Sequence, residues 1–283
     1  MKTPPRLLPL LEDGVIDEVI RPLMSGKEAS VYVVRCGDDI RCAKVYKDAN
    51  KRSFKQAVTY QEGRKVRNSR RARAMEKGSK YGKKQQEELW QNAEVDALFL
   101  LAKAGVRVPQ AYGCFDGVLL MELVMDDEGN IAPRLNDVAM SAEQAREDHE
   151  LVMRDIVRML CAGIVHGDLS EFNVLVDDYG PVIIDLPQAV NPTANNSAKA
   201  MFERDVNNMT RYYANFAPDL LETQYAKEIW ALYEAGELNP EVELTGRYLE
   251  DSALADVDSV MLEIKAALAE QQAREARLRQ DSE

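Results

Sequence analysis

Residues 166–185 read His166-Gly167-Asp168-Leu169-Ser170-Glu171-Phe172-Asn173-Val174-Leu175-Val176, then Asp177-Asp178-Tyr179-Gly180, then Pro181-Val182-Ile183-Ile184-Asp185. Two aliphatic runs flank a turn, so the polar groups before the first run and after the second come to one end of a hairpin. An Asp, an Asn five residues on and an Asp closing the next strand suit phosphoryl transfer. That chemistry needs a carboxylate to orient the acceptor, and hard oxygen ligands for a magnesium ion that neutralises a triphosphate. Asp168 is assigned the acceptor, Asn173 and Asp185 the metal. Each polar residue alone would do no more than close a turn; the ordered set carries the reading.

Upstream lie the groups that would hold the nucleotide. Cys42 and Lys44 share one face of a strand, so Cys42 can cover a purine ring while Lys44 reaches the phosphates. Val31, across the sheet, closes the other end of that apolar lid. The turn Ser25-Gly26-Lys27-Glu28 offers backbone N–H groups, the Ser25 hydroxyl and the Lys27 ammonium to anionic oxygens. It is not a Walker A loop, since Glu28 stands where Ser or Thr should be. Glu94, on the inward stripe of a helix, needs a buried partner, and Lys44 is the natural one. Leu119-Leu120-Met121-Glu122-Leu123-Val124 is an apolar strand in which Met121 lines the pocket and the backbone at Glu122 and Val124 can read an adenine edge.

The rest of the chain organises around these elements as an α+β protein. A short helix over Leu7–Asp13 ends at Gly14, and Val19–Tyr46 predicts three antiparallel strands. A helix over Glu87–Lys103 carries Leu89, Ala93, Ala97 and Leu100 on one face. Strands at Ala111–Phe115 and Gly117–Val124 complete a small lobe, 1–124, of five strands and one helix. A mainly helical lobe, 125–239, follows the linker Met125–Asn130. It holds a helix Ser141–Ala162 capped by Ser141 with Gln144, a strand-rich stretch over Ile164–Val176 and Val182–Val190, and helices around Lys199–Asn215 and Pro218–Ala235. In the extension 240–283, Leu254, Val257, Met261, Ile264 and Leu268 predict one helical stripe, packing on its own domain.

Composition narrows the function classes. Four cysteines without a Cys-x-x-Cys pair, and only two histidines, exclude a zinc site of ordinary type and fit a reducing, cytoplasmic setting. No apolar run is long enough to cross a bilayer, and the N-terminus has no cleavage pattern, so no membrane partner is expected. The net charge of −12 conceals an uneven distribution. Residues 47–84 carry fourteen Lys and Arg against three acids, a local net of +11 that leaves −23 on the remainder. This basic insert, about 47–86, either tethers something anionic or lies near the chain's own acidic surface.

Taken in order, these elements resemble a protein kinase reduced to its essentials. Ser25-Gly26-Lys27-Glu28-Ala29 and His166-Gly167-Asp168-Leu169-Ser170-Glu171-Phe172-Asn173, with Ile183-Ile184-Asp185, resemble the RIO family of atypical serine/threonine kinases, from about Val15 to about Phe216. The resemblance implies a bilobal protein-kinase-like fold, ATP with Mg2+ (Mn2+ as an alternative), and autophosphorylation or transfer to a protein serine. Position by position it makes Lys44 the nucleotide lysine, Glu94 its helix partner, Asp168 the catalytic aspartate, and Asn173 and Asp185 the metal ligands. The family's metal aspartate is also implicated as a phosphate acceptor, so Asp185 is a candidate catalytic aspartyl-phosphate site and an ATPase cycle is a parallel reading. The basic insert falls where the family carries an autophosphorylated loop, with Ser53, Ser69 and Ser79 as candidates. The family also lacks an activation segment, and here Leu186-Pro187-Gln188 follows Asp185 with no Ala-Pro-Glu. The branch with the Ser-Gly-Lys-Glu-Ala loop and no winged helix fits; residues beyond about Asn239 match nothing in it.

Two alternatives stand beside this reading. A small-molecule kinase of the aminoglycoside or choline phosphotransferase type shares His-Gly-Asp with Asn five residues on, although it has no use for a basic insert. A nucleotide-gated factor bound to RNA or a ribosomal subunit would use residues 47–84 to grip phosphate, by backbone charge more than by stacking on Phe54, Tyr60 and Tyr81.

Overall fold

A computed structural model describes residues 3–26, 29–47 and 93–248. Lys27, the basic insert with Ser53, Ser69 and Ser79, the predicted helix before residue 93, and the stripe Leu254–Leu268 lie outside the described residues.

After a 3-10 turn at Pro5–Leu7 come α1 (Leu8–Glu12), β1 (Glu18–Ser25), β2 (Ala29–Cys36) and β3 (Asp39–Tyr46). Helix α2 is described over residues 93–103, and β4 (Ala111–Phe115) and β5 (Val118–Glu122) follow. The strands form one antiparallel sheet in the order β1-β2-β3-β5-β4. Strand alternation gives the sheet two apolar faces. Val34, Ala43, Val45, Val118 and Leu120 point to one side, and Leu7, Leu10 and Ile16 of the N-terminal segment cover them. Val33 and Cys42 point to the other side, packing with Leu123 and partly buried Val31 and Met121. Only this second face carries Lys44, so it faces the site.

The inward stripe of α2 keeps Glu94 and Ala97 as the sequence reading has them and departs from it at Leu100. Glu94, Ala97, Leu98 and Leu101 are buried, whereas Leu100 is 44% exposed and Phe99 51%. Apolar residues occur in both phases of this segment, so the period alone could not choose between them; the carboxylate that meets Lys44 does.

The second part of the chain begins with α3 (Ala142–Cys161), where Ser141 Oγ accepts the Gln144 N–H at 3.1 Å, the predicted cap. Then come β6 (Val174–Asp177) and β7 (Gly180–Ile183), a two-stranded hairpin, followed by α4 (Ala198–Ala214) and α5 (Tyr225–Ala235). Val152, Leu169, Ile183, Met209 and Ile229 join one continuous core with Leu101 and Leu119 from the first part. No helix of the described residues is long and apolar enough to cross a membrane.

Residues 164–173 are not the strand predicted for them. Val165 and Val190 make an isolated bridge, and Glu171–Asn173 is a 3-10 turn. Side chains take the backbone groups that a strand would have paired. Asp205 on α4 accepts the N–H groups of Gly167 and Leu169, and Arg204 donates to the Gly167 carbonyl. β5 likewise stops at Glu122, because the Val124 carbonyl turns to accept the Ala132 N–H at 3.0 Å.

Arg107, between α2 and β4, ties the hairpin to the sheet. It accepts the Ile183 N–H at its carbonyl and grips Asp177 with two bonds of 2.9 and 2.7 Å from Nη2. Its own N–H goes to Asp155 on α3. The β6–β7 hairpin has Asn173 immediately before it and Asp185 just after it, so these contacts help to fix both residues relative to the sheet face that carries Lys44.

Candidate active site

Lys44 is the centre of the site. β3 delivers it from the interior of the sheet at 8% exposure, and its Nζ donates to Glu94 Oε1 at 2.6 Å and to Asp185 Oδ1 at 2.7 Å. Burial works against the ammonium charge, but the two carboxylates outweigh it and push the pKa above the ordinary lysine value. Glu94 is 2% exposed and so shielded from bulk solvent. Tyr46, next on the same face of β3, donates its hydroxyl to Glu94 Oε2. Burial, then the Glu94 charge, push that hydroxyl's pKa well up, so Tyr46 stays a donor. Both Glu94 oxygens are thus engaged, which fixes where Lys44 can point.

The loop after α3 supplies the opposite wall. His166, 3% exposed, directs Nε2 at the Ile184 carbonyl, 3.0 Å away, and Nδ1 accepts the Asp168 N–H at 3.3 Å. A carbonyl only accepts, so Nε2 is the donor in the first contact. The same histidine links the loop to the strand end that leads into Asp185. Asp168 directs its carboxylate outward, where Gln188 Nε2 donates to Oδ2 at 3.3 Å. Partial burial pushes its pKa up. Asn173 spends its Nδ2 on the Asp168 carbonyl at 2.8 Å, which turns Oδ1 the other way.

Asp185 has φ 67°, a left-handed conformation that Asp tolerates better than most residues, and its side chain is 44% exposed. Burial opposes its ionisation, yet the charge and hydrogen bond of Lys44, with help from Arg134, hold its pKa below the ordinary range. Asp185 Oδ1 takes Lys44, leaving Oδ2 as an oxygen donor. Asn173 Oδ1 and Asp185 Oδ2 are hard neutral and anionic oxygens of the kind Mg2+ selects.

The remaining predicted residues line the sheet side. Val33 pairs with Cys42 and Cys42 with Met121; Val31 pairs with Lys44. Cys42, Val31 and Met121 therefore form an apolar surface beside the lysine. Burial pushes the Cys42 thiol up to about 12, which makes it an inert part of that surface. Glu122 ends β5, its N–H on the Gln110 carbonyl and Oε2 accepting the Gln110 N–H; Val124 follows in the connection to α3. Ser25, at the end of β1, is 3.1 Å from Ser30 Oγ and accepts from Lys47 Nζ at 3.1 Å. It lies along the rim and is not drawn into the Lys44 cluster.

Several residues of this site escaped the sequence reading. Tyr46 carried a legible signal, two residues beyond Lys44 on the same strand face. Asp205 carried none, being an isolated helical Asp far along the chain, yet it is 3% exposed and anchors the loop that holds Asp168. Burial pushes its pKa up to about 6. Gln188 and Arg134 were likewise unremarkable in sequence.

Comparison with known proteins follows the same line. The family profile described as RIO domain matches residues 30–226. A relative in Haloferax volcanii, named RIO-type serine/threonine-protein kinase Rio1, is 35% identical over 213 residues, covering 74% of this chain and 68% of that protein. The Schizosaccharomyces pombe serine/threonine-protein kinase rio1 is 32% identical over 190 residues, 65% of this chain and 36% of that one. The chain thus spans about two thirds of the archaeal relative but little over a third of the yeast one. Among solved structures, the Rio2 kinase-ADP/Mg2+-phosphoaspartate complex from Chaetomium thermophilum matches with a TM-score of 0.53 at 22% identity, over 82% of this chain and 70% of that one. At that identity the likeness establishes the fold: α+β, protein-kinase-like.

Proposed function

Since this chain belongs to the RIO domain family, whose relatives above are serine/threonine-protein kinases, we propose that it is an ATP- and Mg2+-dependent phosphotransferase acting on serine of a protein substrate or of itself. The observation that carries the reading is the three-way contact of Lys44 with Glu94 and Asp185, opposite an outward-facing Asp168.

Lys44 holds nucleotide phosphate with its third N–H, the other two being committed to Glu94 and Asp185. Val31, Cys42 and Met121 cover the purine, and the backbone of Glu122 and Val124 faces its edge. Ser25 borders the phosphate end, and the phosphate role read for Lys27 falls on a residue outside the described ones. Asn173 and Asp185 would hold Mg2+, which neutralises triphosphate charge in a site of this kind. Asp168 accepts the acceptor hydroxyl's proton as that oxygen bonds to the γ-phosphorus and ADP departs.

Transfer to Asp185 itself, with ADP leaving and water later cleaving the acyl phosphate, is the parallel course. The phosphoaspartate of the Chaetomium thermophilum Rio2 complex supports it. The family match sets aside the small-molecule phosphotransferase alternative. The acidic body and basic segment 47–84 support a contact with RNA or a ribosomal subunit, and the cysteine pattern supports a cytoplasmic setting. A two-lobe division near residue 124 is the organisation proposed for the chain.

Incubation of the purified chain with radiolabelled ATP and Mg2+, followed by acid and hydroxylamine treatment, tests the proposal. Acid-stable label on serine supports transfer to protein; hydroxylamine-labile label lost in Asp185→Asn supports the aspartyl course. Label that persists undiminished in Asp168→Ala and in excess chelator would refute the roles given to these residues.

A further inference from the structure

Arg134 sits in the connection between β5 and α3 and is held there by its backbone. It bridges Leu175 of β6, its carbonyl accepts the Asp137 N–H at 2.9 Å, and the neighbouring Pro133 carbonyl accepts the Val176 N–H at 2.9 Å. From this fixed base the side chain reaches up to the sheet, where Nη2 donates to Met24 Sδ at 3.0 Å. Met24 pairs with Val31, and Val31 with Lys44, so the guanidinium meets the row of the lid that ends in the nucleotide lysine. Its charge is also felt at Asp185.

The partner is the anomaly. A guanidinium offers five N–H donors in a planar fork suited to carboxylate or phosphate, and a thioether is a weak acceptor. Among the described residues the ion pairs of the cleft join Lys44 to Glu94 and Asp185, and none includes Arg134. A half-buried cation on a pinned backbone, resting on sulfur at the lysine end of the cleft and in no ion pair among the described residues, is placed to receive an anion.

We propose that Arg134 is a nucleotide-binding residue, exchanging Met24 for polyphosphate oxygens of ATP and so adding a second cation, from the opposite wall, to that of Lys44. This rests on the kinase reading above and names a residue of the same site. Charge-assisted bonds from a guanidinium to phosphate make the contribution depend on the number of phosphates and leave the nucleoside unaffected.

The test is equilibrium displacement of a fluorescent ATP analogue by ATP, ADP and adenosine, for the wild-type chain, Arg134→Met, Arg134→Lys and Lys44→Met. Arg134→Met, which keeps the apolar stem, should weaken ATP about 10- to 100-fold, ADP less, and adenosine not at all. Arg134→Lys should recover part of the loss. ATP binding unchanged in Arg134→Met while Lys44→Met abolishes it would overturn the proposal and leave the kinase reading standing. An equal loss for adenosine and ATP would also overturn it, since that is the mark of a collapsed pocket. A wild-type chain that binds no nucleotide would overturn both.

Discussion

Replacing Lys44 by Met tests whether the buried pair is the structural keystone of the cleft as well as a nucleotide contact. The substitution keeps most of the apolar stem and deletes Nζ, the atom that meets Glu94 Oε1 at 2.6 Å and Asp185 Oδ1 at 2.7 Å. The two partners do not suffer equally. The Asp185 side chain is 44% exposed and water can replace the lysine. The Glu94 side chain is 3% exposed and, among the described residues, keeps only the Tyr46 hydroxyl, so it is left as a buried, uncompensated charge. Breaking one partner of such a pair costs about 3–5 kcal/mol. For a folded unit of this size that corresponds to a fall in Tm of roughly 6–20 °C. Urea and thermal unfolding without nucleotide measure it directly. The double variant Lys44→Met/Glu94→Leu removes the stranded charge and should regain most of the lost stability while remaining inactive. Lys44→Met within about 1 kcal/mol of wild type, or a double variant no more stable than the single one, would refute the reasoning.

Asp205→Asn should lower kcat about tenfold or more with little change in KM for ATP, because an amide cannot accept both the Gly167 and Leu169 N–H groups. Asp205 has a folded pKa raised to about 6, so its contribution to stability is present below about pH 4 and lost as pH rises through 6; unfolding of the Asn variant should lack that slope, worth about 3 kcal/mol. His149 is buried against Thr210 with its pKa lowered to about 4, so it stabilises above about pH 6.5 and the effect is lost as pH falls. Between pH 7 and 4 the wild type should lose about 3 kcal/mol relative to His149→Gln; parallel curves would contradict this. Arg107→Ala strands Asp177, whose side chain is 9% exposed, and should cost about 2–4 kcal/mol in urea titration, with Arg107→Lys restoring only part because a lysine cannot reproduce the two-bond grip.

What the sequence made legible depends on how local the cause was. The order of the five strands' residues, the cap at Ser141 and the facing of Cys42 with Lys44 follow from alternation and turn chemistry, which act over a few residues. The partnership of Lys44 with Glu94 was inferred from a need, since a carboxylate on an inward stripe must find a cation. The stripe itself was phased wrongly at Leu100, because Val95, Leu98, Phe99 and Leu100 supply apolar residues on several faces. The loop of 164–173 was misread as strand for a longer-range reason. Its backbone groups are claimed by Asp205 and Arg204, more than thirty residues away in sequence, and nothing within the loop announces that competition. Arg134 and Gln188 belong to the same class: each is ordinary by composition and acquires meaning only from what the fold places opposite it.

The protonation states of the two cleft carboxylates point to a division of labour that spacing alone could not assign. Asp185 and Asp168 share one cleft, and their surroundings push them in opposite directions. Lys44 at 2.7 Å lowers the pKa of Asp185 and so favours its ionised form, the state required of a cation ligand or a phosphate acceptor. Burial raises Asp168, whose carboxylate accepts from the neutral amide of Gln188, and a raised carboxylate is the better proton acceptor. Two carboxylates whose pKa values are driven apart are how a single site separates holding charge from moving a proton. The separation depends on Lys44 leaning toward Asp185, and that direction is set by the buried Glu94 and the Tyr46 hydroxyl that holds it. Tyr46→Phe should therefore narrow the difference without touching either carboxylate. In that variant kcat should fall and the acid limb of its pH profile should move, whereas a profile identical to wild type would show that Glu94 alone is enough to aim the lysine.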